Sequence, residues 1–202
     1  MYHDATQRKP LINITEIKEN SFIYIKKNAL ARDICREMIR RFESDKASQY
    51  RGRIGQDFKE DPDIKMSTDL AISAHEHWQD ITQEMVRSLS LALREFSDAL
   101  PFFKGRFKDI GYNLQRTSEG EYYNWHIDGG SHDFADRQLV ALWYLNDVEG
   151  PGGATEFMYQ NLSVQPEEGA LILFPPFWTH EHRNSQLQKG VKYVATTWIS
   201  FA

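Results

Sequence analysis

Two different spacings of apolar residues divide this chain. Leu30, Ile34, Met38, Ile39 and Phe42 recur at three- to five-residue intervals, which gathers them on one side of a helix. Asn28 precedes them as the expected N-cap. Trp78, Ile81, Met85, Leu89, Leu93 and Phe96 repeat the pattern and Pro101 follows, so a second helix is expected from Trp78 to about Leu100. Ahead of the first helix, Leu11-Ile12-Asn13-Ile14 and Phe22-Ile23-Tyr24-Ile25 read as strands or as a lead-in. Residues 44–70 are polar and carry Gly52, Gly55 and Pro62, the pattern of a loop or irregular strand region that could border a pocket.

After Phe107 the period shortens. Alternating segments near 109–116, 121–128, 137–146, 154–159, 163–165, 169–174 and 191–201 read as strands separated by Gly, Asn, Asp and Pro, with Gly150-Pro151-Gly152-Gly153 as a clear turn. Helices followed by many short antiparallel strands form an α+β chain. The arrangement that satisfies this order is a double-stranded β-helix, or jelly roll, with the N-terminal helices packed on one sheet. The length of 202 residues fits one domain over 1–202, with 1–108 as mainly helical support plus strands and 109–202 as the jelly-roll core.

Composition narrows the function class. The chain carries a formal charge of −5, which argues against a nucleic-acid backbone as the main partner. No run approaches the ~20 apolar residues of a membrane span, and none near Met1 resembles a signal peptide. The single cysteine, Cys35, lies in a helical apolar setting, so no disulfide can form within one chain and a reducing, cytoplasmic location is expected.

Chemistry concentrates in Tyr123-Asn124-Trp125-His126-Ile127-Asp128-Gly129. On an extended segment His126 and Asp128 share a face while Ile127 faces away. An imidazole and a carboxylate side by side suit a divalent transition metal, and a third donor from elsewhere would complete one face of an octahedron. His3, His75, His77 and His132 are assigned to surface or capping roles. His180 and His182 remain, held in the stiff run Pro175-Pro176-Phe177-Trp178-Thr179-His180-Glu181-His182-Arg183 that follows the buried-strand pattern Gly169–Phe174. Two histidines and a carboxylate suit Fe(II) with three open positions. The same set with a water suits zinc. Residue pattern alone leaves both the metal and the choice between His180 and His182 open. Lys192, amid the apolar neighbours of the last strand, needs an anionic partner if it is buried, and the carboxylate of a bound acid would serve.

The ordered set His126-x-Asp128, Gly152-Gly153-x-Thr155-x-Phe157, Gly169-Ala-Leu, His182 and Lys192 resembles the 2-oxoglutarate/Fe(II)-dependent oxygenases, and among them the prolyl 4-hydroxylase-like branch. The resemblance covers about residues 109–200. It implies Fe(II) on His126, Asp128 and His182, because the family's basic residue lies ten positions after the distal histidine, as Lys192 does after His182. Lys192 would take the far carboxylate of 2-oxoglutarate, and His180 would stand at the pocket rim. The branch commonly has a tyrosine where this chain has Thr117, so Gln115, Tyr112 or Thr155 is expected to share the contact to the cosubstrate. Tyr123 and Trp198 match substrate-pocket positions, and Trp125 and Arg183 are grouped with them. The implied activity is a dioxygenase that uses O2, with ascorbate as a support. It would hydroxylate a C–H bond of a prolyl or other amino-acid or peptidyl substrate and release succinate and CO2. Two other readings use the same residues: a cupin-like zinc hydrolase or isomerase, and a non-enzymatic binding module. Stabilisation by 2-oxoglutarate separates both from the oxygenase.

Overall fold

A computed structural model of the chain describes residues 14–55 and 57–202. The expected strand residues 11–13, and His3, lie outside these. Two sheets face each other. The larger is ordered β1 (Ile14–Glu16), β2 (Tyr24–Lys26), β11 (Leu171–Phe174), β8 (Arg137–Tyr144), β13 (Val191–Phe201), β6 (Asn113–Ser118), β4 (Thr68–Ala71), β3 (Tyr50–Arg51), with β5 (Phe107–Asp109) also on β13. The smaller runs β10 (Leu162–Val164), β9 (Thr155–Phe157), β12 (His182–Asn184), β7 (Tyr123–His126). Every pairing is antiparallel. The chain is a jelly roll with helices on one sheet, as the sequence implied, and the first half lends four strands to the larger sheet.

The period of two along each central strand sorts its side chains between two cores. On β8, Leu139, Ala141 and Trp143 face the helices, while Val140, Leu142 and Tyr144 face the smaller sheet. On β11, Leu171 and Leu173 face the helices, and Ile172 and Phe174 the smaller sheet. On β13, Ala195 and Ile199 join the helix side, which leaves Lys192, Val194, Thr196 and Trp198 directed between the sheets.

Helices α1 (Arg32–Ser44) and α2 (Gln79–Ala99) bury Met38 and Phe42 of the first predicted stripe, with Cys35 beside them, and Ile81, Met85, Leu89 and Phe96 of the second. Each such residue contributes about 1.5–3 kcal/mol of burial. Polar ties fix the helices on the sheet. The Trp143 indole donates to Ser88 at 3.0 Å, and Ser88 donates to the Ala29 carbonyl at 2.7 Å. Glu43 accepts from Tyr193 at 2.9 Å and from Arg116 at 3.0 Å.

Two helix boundaries differ from expectation. Asn28 is not the N-cap of α1. Ala31 holds that place, and Asn28 lies in a turn at φ 53°, a conformation asparagine tolerates better than most residues. Trp78 caps α2 rather than opening it, and its indole is wholly buried. No helix among the described residues is long and apolar enough to cross a membrane.

Candidate active site

The smaller sheet brings the predicted donors together. β12 lies beside β7 with His182 opposite His126. β7 ends at His126, so Asp128 is placed by the bend after it rather than by strand alternation. That bend is pinned: the amides of Asp128 and Gly129 donate to the Pro176 carbonyl at 3.0 and 2.8 Å, and Arg137 donates to the Asp128 carbonyl at 2.7 Å. One ligand atom from each of His126, Asp128 and His182 lies within 4.8 Å of the others.

Both imidazoles are oriented from behind. His126 Nδ1 lies 2.7 Å from the Asn124 carbonyl and His182 Nδ1 3.0 Å from the His180 carbonyl. A ring nitrogen facing a carbonyl carries the proton, so each Nε2 keeps its lone pair for a metal. His182 Nε2 sits 3.3 Å from the Asp128 carboxylate. Burial lowers His126 to about 3, with a smaller push from His182, so it stays neutral. Burial also pushes the Asp128 carboxyl up, but its close neighbours His182, His126 and Arg137 outweigh it and hold the group ionised below the usual carboxylate range. Two imidazoles and a carboxylate on one side of an open cavity are a donor set that fits Fe(II).

The second end of the cavity is built around Lys192, which is 2% exposed. Its ammonium donates to the Gly153 carbonyl at 2.6 Å and to Asn184 Oδ1 at 2.5 Å, and lies 5.4 Å from the Tyr144 ring centre. No carboxylate pairs with it among the described residues. Burial pulls it down to about 7. Gly152 and Gly153 make this approach possible. Both take positive φ, 84° and 74°, and a side chain at Gly152 would overlap the Gln186 carbonyl oxygen. Two further polar atoms in the cavity wall, Thr196 Oγ1 and Trp198 Nε1, are buried with no protein partner. A cation without its anion and two unmet polar atoms fit a bound dicarboxylate.

The other candidates divide. Gln115, Thr117, Tyr123, Thr155, Arg183 and Trp198 line the cavity with the metal donors and Lys192. Thr117 accepts from Asn184 at 3.3 Å, and Thr155 from Tyr144 at 2.7 Å. Tyr112 does not line it. It lies in the core beneath the helices, 6.0 Å between ring centres from Trp143. Trp125 is likewise outside the lining, packed 4.7 Å from the Arg183 guanidinium. His180 is turned away, with Nε2 2.9 Å from the Ser21 carbonyl, so of the two it is His182 that lies with His126 and Asp128.

Among the residues that escaped sequence reasoning are Lys65 and Asn184 in the cavity wall and Tyr144 behind it, beside Lys192. Tyr144 had a signal, since it shares the parity of Val140 and Leu142. Lys65 had none, because its place depends on a segment that runs alongside β7.

Residues 112–200 match the family model described as 2OG-Fe(II) oxygenase superfamily. The match falls within the jelly-roll part of the chain. No curated protein matches the chain. Solved oxygenase structures share its fold at low identity. A viral collagen prolyl hydroxylase from Paramecium bursaria Chlorella virus-1, in complex with 2OG, superposes with a TM-score of 0.66 at 17% identity over 93% of this chain and 99% of that one. A prolyl hydroxylase from Trichoplax adhaerens, in complex with a hypoxia inducible factor peptide fragment, gives 0.75 at 16% over 90% and 84%. A Pseudomonas putida prolyl-4-hydroxylase gives 0.65 at 16% over 91% and 94%. The superfamily implies Fe(II) and 2-oxoglutarate, and the His126, Asp128 and His182 triad fits the iron.

Proposed function

We propose that this oxygenase is a hydroxylase acting on a C–H bond of a prolyl or other amino-acid residue, free or within a peptide. The observation that carries the reading is the pairing, in one cavity, of three convergent metal donors with a buried lysine that lacks an anion. The peptide-bound and 2OG-bound relatives support the substrate class and the cosubstrate.

In this reading His126, Asp128 and His182 hold Fe(II). Bound Fe(II), with 2-oxoglutarate and O2, supplies the oxidising chemistry, and succinate and CO2 are the coproducts. The chain's own work is binding and exclusion. Lys192 grips the far carboxylate of the cosubstrate, and Thr196 offers a further hydrogen bond. Thr155 lines the same cavity and is held by Tyr144 behind it. Val140, Leu142 and Val194 keep this part of the cavity apolar, which strengthens the lysine–carboxylate attraction. Tyr123, Arg183 and Trp198 stand where a substrate would enter.

The test is succinate formation from 2-oxoglutarate by the purified chain with Fe(II) and ascorbate. Activity is expected in the parent and a loss of at least about 100-fold in Asp128→Ala and His182→Ala, the scale on which enzymes lose rate when an essential group is removed. Turnover by these variants equal to the parent would sink the assignment. Peptides that gain the mass of one oxygen atom would then identify the substrate.

A further inference from the structure

Lys65 and Asp69 form a buried ion pair at 2.7 Å, with side chains only 4% and 3% exposed. A buried pair rarely stabilises more than apolar residues of the same volume, so its place beside the cavity calls for another role. Asp69 is served three times: by Lys65, by the Ser67 hydroxyl at 2.7 Å, and by Asn113 at 3.4 Å. The ammonium reaches the Tyr123 ring instead, 5.1 Å from its centre and within cation–π range. Tyr123 in turn lies flat on the His126 imidazole, 3.6 Å between centres at 9°.

The backbone makes this contact stiff. Lys65 and Tyr123 form an antiparallel bridge, flanked by the Met66 amide bonded to the Tyr122 carbonyl and the Asn124 amide bonded to the Ile64 carbonyl, both at 2.8 Å. Gly52 leaves room for the pair, since a Cβ there would overlap the Ser67 hydroxyl that serves Asp69 and stand 3.1 Å from two Lys65 methylenes. The hydrogen bond to Asn124 holds the His126 ring at one atom. The stacked phenol holds its plane.

We propose that Lys65, neutralised by Asp69, is a positioning residue that fixes the Tyr123 ring and through it the plane of the His126 imidazole. This rests on His126 being a metal ligand. The segment before β4 then serves the metal centre, although it lies some sixty residues earlier in the chain (126 − 65 = 61).

The test is an anaerobic titration of the full chain with Fe(II) alone, alongside thermal unfolding of the metal-free protein. Lys65→Met would leave Asp69 unpaired and can fail to fold, so the variant is Lys65→Met with Asp69→Asn, compared with Tyr123→Leu and with the three changes combined. The charge-free variant is expected to unfold near the parental temperature and to bind Fe(II) about 10–100-fold more weakly, the cost usual for groups that orient a ligand. Tyr123→Leu is expected to show a similar loss, and the combined variant no additional one, because both act through the same ring. Parental Fe(II) affinity in the charge-free variant, or losses that add in the combined variant, would overturn the positioning role. If the charge-free variant does not fold, Tyr123→Leu decides: parental Fe(II) affinity there removes the ring from the relay and overturns it equally. A parent that binds no Fe(II) overturns the proposed function itself.

Discussion

A lysine buried this deeply without a carboxylate is half of an ion pair, and Lys192 waits for a ligand to complete it. Its ammonium is pulled down to about 7 by burial, against an unfolded value near ~10.4. Between those values the unfolded chain binds more protons than the folded one, so this residue makes the metal-free protein more stable as pH rises from about 7 toward ~10.4. Binding of 2-oxoglutarate should reverse the preference, since a carboxylate favours the charged form. Affinity for 2-oxoglutarate, measured by calorimetry, should therefore weaken as pH rises above about 7, with proton uptake on binding. An affinity that stays flat over the next two pH units would argue that the lysine is not the carboxylate's partner. Lys192→Met should cost about 10–150-fold in that affinity, the value of one charge-assisted hydrogen bond.

At the scale of elements, the site depends on short pieces held by longer ones. β12 has three residues, yet it pairs on both sides and carries His182 to His126. Its sequence, His-Arg-Asn, has no strand signature, because the neighbours supply the order. The Gly152-Gly153 turn is equally specific. Gly152→Ala would force a side chain onto the Gln186 carbonyl at a left-handed φ, so it should lower the unfolding temperature and also weaken 2-oxoglutarate binding through Gly153 and Lys192. A stable Gly152→Ala variant with parental binding would show that the turn does not shape the lysine's surroundings. The helices also act by burial. Phe42 is 1% exposed beneath α1, and Phe42→Ala should cost about 3–5 kcal/mol in denaturant unfolding.

Over the whole molecule, acid stability turns on contacts between distant segments. Asp45, at the end of α1, accepts from the Trp78 indole at 2.9 Å and lies 2.7 Å from His77 at the start of α2. The indole hydrogen bond, helped by His77, holds its carboxyl well below the ordinary range despite some burial. A depressed carboxylate stabilises the fold above its unfolded value of ~3.9 and loses that contribution as pH falls through the folded value. Asp45→Asn should be less stable than the parent near pH 7, with the gap closing below about pH 4. Unfolding curves with a constant gap across that range would remove Asp45 from the account.

The sequence by itself determined what local periodicity can encode. It placed both helical stripes, the alternating strands and the glycine turn, because each rests on intervals along the chain, while His182 was preferred to His180 only through the family resemblance of the ordered set His126, Asp128, His182 and Lys192. Only the tertiary structure decided which side chains meet across those intervals. It turned His180 to Ser21, sent Tyr112 into the helix-side core, and brought Lys65 and Asn184 into the cavity wall. These outcomes depend on strand register and on the segment beside β7. Pairing between distant strands is set by the packing of both faces at once, and no stretch of residues read alone contains it.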